Sequence, residues 1–193
     1  MKGRNGTRTP RSAPSDGCPM HLLIPAVLWG IGCVVGYFAA GRCAEQTNEE
    51  LRRCVEGSLA AAGDSLSASA AAETLLCYFR APAAAFLFGL SPLGAIFSPL
   101  VCALQGFSLS FSLFCFAAAL GRGGFRYLPA LFALRFAVTA PCTLAVGSAA
   151  LRRSVSGAED ASYWYRFGTV CVCLLLGSAL ELWLAPRLLA ALG

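Results

Sequence analysis

The sequence predicts an all-α, polytopic integral membrane protein with about five transmembrane helices and one extracytoplasmic helical loop. The clearest observation is the run from Ala81 to Leu120, forty positions without one charged side chain. At ~1.5 Å per helical residue this run is about 60 Å long, roughly two crossings of a ~30 Å hydrocarbon layer. Apolar residues make up 57% of the chain and charged residues 13%, about half the charged share of a typical soluble protein.

The chain length and charge favour one membrane domain. The net charge of +5 is dispersed, which fits the positive-inside bias of membrane proteins, and no nucleic acid is expected as a partner. Residues 1–20 are rich in Gly, Pro, Ser and Arg, so we expect a disordered basic tail in the cytoplasm. Residues 21–193 then form a single helical membrane domain.

The first predicted span covers residues 22–41, which carry no charge. Gly32, Gly36 and Ala40 recur every four residues along it and share one face of a helix. Small residues at this spacing let helix backbones approach closely. The pattern predicts packing against another helix, either within the chain or through self-association. The alternative is that Gly and Ala are simply common in this segment.

Residues 42–80 form the only long polar region, and the basic tail before the first span places this loop outside the membrane. Thr47 and Glu50 have capping-box spacing, and a second Ala-rich helix is predicted over 66–78. The three cysteines of the loop allow one disulfide if the loop is extracytoplasmic, and the sequence leaves this open; they are Cys43, Cys54 and Cys77.

Four further spans are predicted, over residues 82–104, 106–120, 127–149 and 167–189. A tight hairpin at Gln105-Gly106 would separate the second from the third, and a re-entrant hairpin over 82–120 is the alternative. Three prolines bear on span two: Pro82 suits its first turn, and Pro92 and Pro99 are expected to kink it. The resulting topology is a multi-pass protein of the cell membrane with a cytoplasmic N-terminus.

Two charged residues lie inside predicted spans, Arg135 in the fourth and Glu181 in the fifth. A charge at that depth costs about 2.5–3.5 kcal/mol by insertion scales and needs a partner. Both positions are expected ~12 Å below the outer boundary, because each lies about eight residues from the outer end of its span. We therefore predict an ion pair that fixes the register of the two helices. The alternatives are separate snorkelling, a protonated Glu181, or a proton or ion relay.

Sequence patterns that would indicate catalysis are missing from the chain. His21 is the only histidine, so Ser-His-Asp arrangements and His-rich metal clusters cannot be built within one chain. We predict no catalytic residue, no metal site and no cofactor, and hence no enzyme.

Several phrases occur in an order that resembles the stage II sporulation protein M family over residues 20–190. They are Gly89-Leu-Ser-Pro-Leu-Gly94, Gln105-Gly-Phe-Ser-Leu-Ser-Phe-Ser112, Gly121-Arg-Gly-Gly-Phe125, Pro141 and Glu181-Leu-Trp-Leu-Ala-Pro186. The positions that carry the resemblance are Gly89, Gly94, Gly106, Phe111, Gly121, Gly124, Pro141, Glu181 and Pro186. The family's Lys stands as Gln105 here and its second glycine as Ser110, which indicates a diverged member.

The resemblance implies a non-catalytic anchor or scaffold of a peptidoglycan-remodelling complex in endospore engulfment. The implied partners are membrane lipid and cell-wall hydrolases that resemble stage II sporulation proteins D and P. The outer loop and the small-residue face of the first span would then be the docking surfaces. The alternative is a small permease or transporter subunit, for which Pro92 and Pro99 would break a helix around a midplane site and Arg135 or Glu181 would be substrate groups. A membrane-embedded hydrolase is a third hypothesis.

Overall fold

The computed structural model describes residues 20–46, 53, 68–124, 132–156 and 161–192. Within these ranges the chain is helical, with short turns and no strand. The five helices are α1 (Met20–Gln46), α2 (Ala68–Gly89), α3 (Gly94–Gly124), α4 (Leu134–Ser156) and α5 (Ala161–Leu192).

Four of these helices are long and apolar enough to cross a membrane, and the protein is an all-α polytopic membrane protein as predicted. The qualifying segments are Met20–Arg42, Gly94–Ala118, Leu134–Val155 and Ser162–Leu184, with mean hydropathies between 1.4 and 2.0. Helix α2 is less apolar than these four, so four of the about five expected spans meet the criterion of length and apolarity among the described residues. The reason is that Glu73 and Arg80 lower the mean hydropathy of α2. Helix α2 nevertheless runs between the same two ends of the bundle, since Tyr78 meets Glu181 near one end and Gly89 lies against Tyr163 at the other.

Successive helices run in alternating directions, which follows from contacts at matched heights. Ser98 near the start of α3 meets Gly147 near the end of α4, so these two helices are antiparallel. Helices α4 and α5 are also antiparallel. Arg135 at the start of α4 pairs with Glu181 near the end of α5, and Arg153 at the end of α4 lies over the ring of Tyr163 at the start of α5. Helix α1 runs parallel to α3 and makes its most extensive contact there.

The turn of the apolar hairpin lies at residues 90–93, and the predicted turn at Gln105-Gly106 is wrong. Helix α3 continues unbroken through that dipeptide, so 82–104 and 106–120 are not two separate spans and no re-entrant turn occurs there. At the observed turn Pro92 has no N–H to continue a helix. The Ser91 carbonyl accepts a hydrogen bond from Gly94 N at 2.9 Å, and the Ser91 hydroxyl accepts one from Leu93 N at 3.3 Å.

Three smaller expectations about this region also need correction. Pro82 lies inside α2 rather than in a first turn, and Pro92 lies in the turn rather than inside a span. The predicted loop helix 66–78 and the start of span two form the single helix α2, so the polar loop is shorter than 42–80. The capping box at Thr47 and Glu50 lies outside the described residues.

Helix α4 is the centre of the bundle and contacts each of the other four helices. Of its most apolar stretch 44% is buried, against 17% to 28% in the other three spanning helices. The core around it includes residues from every helix except α1, namely Tyr78, Ala85, Phe86, Val101, Cys142, Val146, Ala150, Tyr163, Val170 and Leu174. Phe86 stacks on both Tyr163 and Phe167, with ring centroids 5.0 and 3.8 Å apart.

Exposed aromatic residues mark the two membrane boundaries along α5. Trp164 and Tyr165 are 57% and 79% exposed near its start, and Trp183 is 55% exposed towards its end. The two tryptophans are nineteen positions apart, about 28 Å along a helix, which matches the ~30 Å hydrocarbon layer. Trp and Tyr favour the boundary between lipid and water. Residues 164 and 183 therefore lie near opposite surfaces of the membrane.

Candidate functional site

The two charges inside the bundle meet in an ion pair. Nη2 of Arg135 lies 2.6 Å from Oε1 of Glu181, and Nε of Arg135 donates a longer hydrogen bond of 3.5 Å to Oε2. The side chains are 27% and 12% exposed. Arg135 projects from the start of α4 and Glu181 from the last third of α5, so the pair joins these two helices.

The depth that the sequence predicts for this pair stays a prediction. Helix α4 is described from Leu134, helical residues 132–133 come directly before it, and residues 125–131 lie outside the described part of the chain. Glu181 lies two residues before the exposed Trp183 at the membrane boundary. The pair is therefore close to one edge of the hydrocarbon layer, where the cost of a charge is lower than at the midplane.

A third helix completes this site through Tyr78, which sequence reasoning did not single out. The Tyr78 hydroxyl donates a hydrogen bond of 2.6 Å to Oε2 of Glu181, and the side chain is fully buried. The guanidinium carbon of Arg135 lies 5.9 Å from the centre of the Tyr78 ring. Both carboxylate oxygens of Glu181 thus receive donors, one from α2 and the others from α4. We call Tyr78, Arg135 and Glu181 the charged layer.

Below the charged layer, a column of small polar side chains ties α3 to α4. The Ser98 hydroxyl donates to the Gly147 carbonyl at 3.1 Å, and the Cys102 thiol points at the Thr143 carbonyl at 4.0 Å. Thr143 and Thr139 each donate to the carbonyl four residues earlier in α4. Since lipid supplies no hydrogen-bond partners, these bonds provide the polar side chains of the column with partners inside the protein.

The small-residue face of α1 lies against α3. A side chain at Gly32 would collide with the carbonyl oxygen of Ala103, and one at Gly36 would come within 2.6 Å of the Phe107 carbonyl oxygen. Ala40, the third residue of this face, is buried. Gly106 of α3 completes the contact, because a side chain there would collide with the Trp29 carbonyl. The face is used within the chain, by backbones in direct contact.

Gly89 and Gly94 flank the turn between α2 and α3 and let it pack tightly. A side chain at Gly89 would collide with the Tyr163 hydroxyl, and one at Gly94 with the Phe88 carbonyl. The Ser154 hydroxyl donates to the Ser91 carbonyl at 3.2 Å and so holds the turn against α4.

The remaining residues that carry the family resemblance are not brought to one place. Phe111 stacks on Phe107 within α3, with ring centroids 5.6 Å apart. Gly121 and Gly124 lie in the last turns of α3, Pro141 is exposed on α4, and Pro186 lies in α5.

Comparison with known proteins gives no match. No protein-family model matches the chain, and neither does any curated protein or solved structure. Function must therefore be argued from the geometry of the bundle.

What the charged layer can do chemically follows from its closed hydrogen bonding. Both oxygens of Glu181 are occupied, and Arg135 does not give up its proton in proteins. Among the described residues, no three His, Cys, Asp or Glu side chains lie close enough together to hold a metal ion. The layer is suited to joining α2, α4 and α5.

The sequence does carry a signal at Tyr78. It lies in an apolar segment and carries a hydroxyl, which needs a partner when it is buried. Three buried side-chain atoms have no hydrogen-bond partner among the described residues: Nε1 of Trp29, Oε1 of Gln105 and Nη1 of Arg153.

Proposed function

We propose that this protein is a non-catalytic, multi-pass membrane anchor for a peptidoglycan-remodelling complex at the cell membrane, with a role in endospore engulfment. The observation that carries the proposal is the closed charged layer, in which the one intramembrane carboxylate of the described residues is occupied by donors from two other helices. A fully paired layer holds helices in register and offers no free acid to a substrate.

The positions that carry the family resemblance support the same proposal. Gly89, Gly94, Gly106 and Glu181 all lie at contacts between helices. A family whose recurrent residues specify packing is better suited to presenting a surface than to catalysis. The partners proposed here are wall hydrolases that resemble stage II sporulation proteins D and P, acting on the outer side.

The outer docking surface is the polar segment between α1 and α2. The two helices leave at least twenty residues between Gln46 and Ala68, a length that accommodates a partner outside the membrane. The segment can meet these partners only if it lies on the outer side of the membrane, and cysteine labelling tests this. Single cysteines introduced at positions 45–60 of a cysteine-free chain should react with a membrane-impermeant reagent added outside intact cells. Reaction from the cytoplasmic side alone would remove the docking surface.

Co-purification is the direct test of the anchor. The full chain is co-expressed with the two hydrolases, and both are expected to co-purify with it in detergent. A variant in which residues 54–67 are replaced by a Gly/Ser linker of equal length should fold but lose them. The conservative change Tyr165→Phe, which lies at the opposite membrane surface, serves as the matched control and should retain them. If the full chain retains neither hydrolase, the proposal is wrong.

A permease or transporter subunit is the second candidate, and Gln105 is the observation that favours it. Its side-chain oxygen is buried without a hydrogen-bond partner among the described residues, and its spacing from Ser98 and Cys102 puts it on their face of α3. Solute or proton flux in reconstituted liposomes separates the two candidates. The anchor predicts no flux above that of empty liposomes, whereas a transporter predicts flux that Gln105→Leu abolishes.

A further inference from the structure

A group of basic and aromatic side chains lies at the end of the bundle where α4 ends and α5 begins. Arg153 is in the last turn of α4, and three exposed residues follow one another in α5: Trp164, Tyr165 and Arg166. We call these residues, with Tyr163, the basic end cluster. It lies at the membrane surface opposite to the charged layer, because Arg135 and Arg153 are at opposite ends of α4.

Arg153 is the residue of this cluster whose hydrogen bonding is incomplete. Its guanidinium carbon lies 4.9 Å from the centre of the Tyr163 ring. The ring is fixed, since the Tyr163 hydroxyl donates to the Phe86 carbonyl at 2.9 Å. Nη1 of Arg153 is buried and has no acceptor among the described residues. A permanently charged donor in that position is costly unless an anion reaches it.

The depth of the cluster indicates which anion. Trp164 and Tyr165 mark the lipid–water boundary, because they are strongly exposed and lie about 28 Å along α5 from Trp183. Phosphate groups of phospholipids lie at this same depth. Basic pockets between transmembrane helices bind anionic headgroups in this way.

We propose that the basic end cluster binds the phosphate of an anionic phospholipid. Nη1 of Arg153 donates to a phosphate oxygen, and Arg166 supplies the second positive charge. The exposed rings of Trp164 and Tyr165 contact the glycerol and upper acyl chain. A phospholipid satisfies both the buried donor and the exposed apolar rings, whereas free phosphate would satisfy only the donor.

A second Arg–aromatic pair provides the matched control. The guanidinium carbon of Arg187 lies 3.7 Å from the centre of the Trp183 ring, at the other end of α5. Arg187 is exposed, and none of its nitrogens is buried without a partner. If Arg153 served only to cover an aromatic ring, the two arginines would behave alike towards lipid.

The test measures retained lipid by native mass spectrometry of the full-length protein, released from nanodiscs of equal parts phosphatidylglycerol and phosphatidylcholine. The wild type should retain phosphatidylglycerol preferentially. Arg153→Gln should lower that retention about fivefold, since one basic side chain near a membrane surface contributes about that factor. Arg187→Gln should retain as much as the wild type. Equal retention by Arg153→Gln and the wild type, or equal loss in both variants, overturns the proposal.

A second variant and a titration with inorganic phosphate extend the test. Where Arg153→Gln fails to fold, Arg166→Gln replaces it, because Arg166 is exposed and its loss does not disturb the core. The same fall of about fivefold is expected, and unchanged retention overturns the proposal.

Inorganic phosphate is then added at millimolar concentration to protein in pure phosphatidylcholine nanodiscs. A rise in melting temperature equal to that given by phosphatidylglycerol would show that soluble phosphate occupies the site. That result would overturn the proposal that the site binds a phospholipid.

Discussion

A carboxylate inside a helix bundle is stable in lipid only when protein donors replace the water that it has lost. Glu181 meets this requirement with Arg135 from α4 and Tyr78 from α2. Removal of either charge leaves the other uncompensated in a medium of low polarity, and this is worse than removal of both. Substitutions within the charged layer should therefore be non-additive: the double variant should lose less stability than the sum of the two single variants.

Arg135→Leu and Glu181→Leu should each lower the free energy of unfolding by about 3 kcal/mol, because each leaves a buried charge unpaired. The double variant should lose at least about 2 kcal/mol less than the sum of the two. The measurement is unfolding in mixed micelles with increasing SDS. Glu181→Leu combined with Arg80→Leu is the control, since Arg80 is exposed and bonds to Ser108. Additive losses in the Arg135–Glu181 pair would show that the contact contributes nothing.

Tyr78→Phe removes one hydroxyl and leaves the ring in place. We expect a loss of about 1.5–3 kcal/mol, the range for hydrogen bonds to charged groups, because Oε2 of Glu181 loses its short donor. Tyr165→Phe makes the same chemical change at a residue that is 79% exposed, and it should change stability by less than about 0.5 kcal/mol. The same SDS titration measures both. Equal effects of the two changes would rule out a role for the Tyr78 hydroxyl in the charged layer.

At the scale of helices, glycine contacts hold α1 against α3. Gly32 and Gly36 place the α1 backbone directly against the carbonyl groups of α3. Close approach of this kind replaces the hydrophobic driving force, which is weak between helices that are already in lipid. Aromatic contacts reinforce it: the rings of Tyr37 and Phe114 are 4.5 Å apart.

Gly32→Leu should therefore lower the free energy of unfolding by at least about 2 kcal/mol, because backbone atoms of Ala103 occupy the space that the new side chain needs. Gly30→Leu is the control on the same helix, since nothing lies within 4 Å of a side chain at Gly30. Thermal unfolding in detergent, with the oligomeric state measured by light scattering, compares the two. A change in oligomeric state without loss of stability in Gly32→Leu would mean that this face joins two copies.

The sequence was sufficient to predict the helical class and the apolar stretches, because both depend on composition and length. It was insufficient for the hairpin turn. Gln105-Gly106 has the residues of a turn, yet Gly106 is needed where α1 crosses α3. A glycine that permits a turn and one that permits a close helix contact look alike in a sequence. Ser91-Pro92 carried the stronger local signal, since proline lacks the N–H that a helix requires.

The contact between Arg135 and Glu181 was predictable because an unpaired charge is costly in lipid, and that argument needs no knowledge of packing. Their depth stays a prediction, because residues 125–131, which come shortly before α4, lie outside the described part of the chain. The role of Tyr78 depends on α2 packing beside both charges. Such a contact between residues 103 positions apart in the chain has no local sequence signal.

On the scale of the whole molecule, alternating helices give the bundle two distinct ends. One end contains the start of α1, the turn at 90–93, the end of α4 and the start of α5. The other holds the charged layer and the end of α5. The basic end cluster also lies at the first end, so by the positive-inside rule we predict that this end faces the cytoplasm.

Three single cysteines in a cysteine-free chain test this arrangement. A cysteine at Leu93, which is 56% exposed beside the turn, should react with a membrane-impermeant maleimide only from the cytoplasmic side. A cysteine at Leu104 is the control: Leu104 is 59% exposed but lies in the middle of α3, so lipid should protect it from either side. A cysteine at Arg187 should react only from outside. Strong labelling of the cysteine at Leu104 would show that the turn lies near that position and not at residues 90–93. Labelling of the cysteine at Leu93 from outside would show that the topology is the reverse of the predicted one, and the proposed docking surface would then not lie outside.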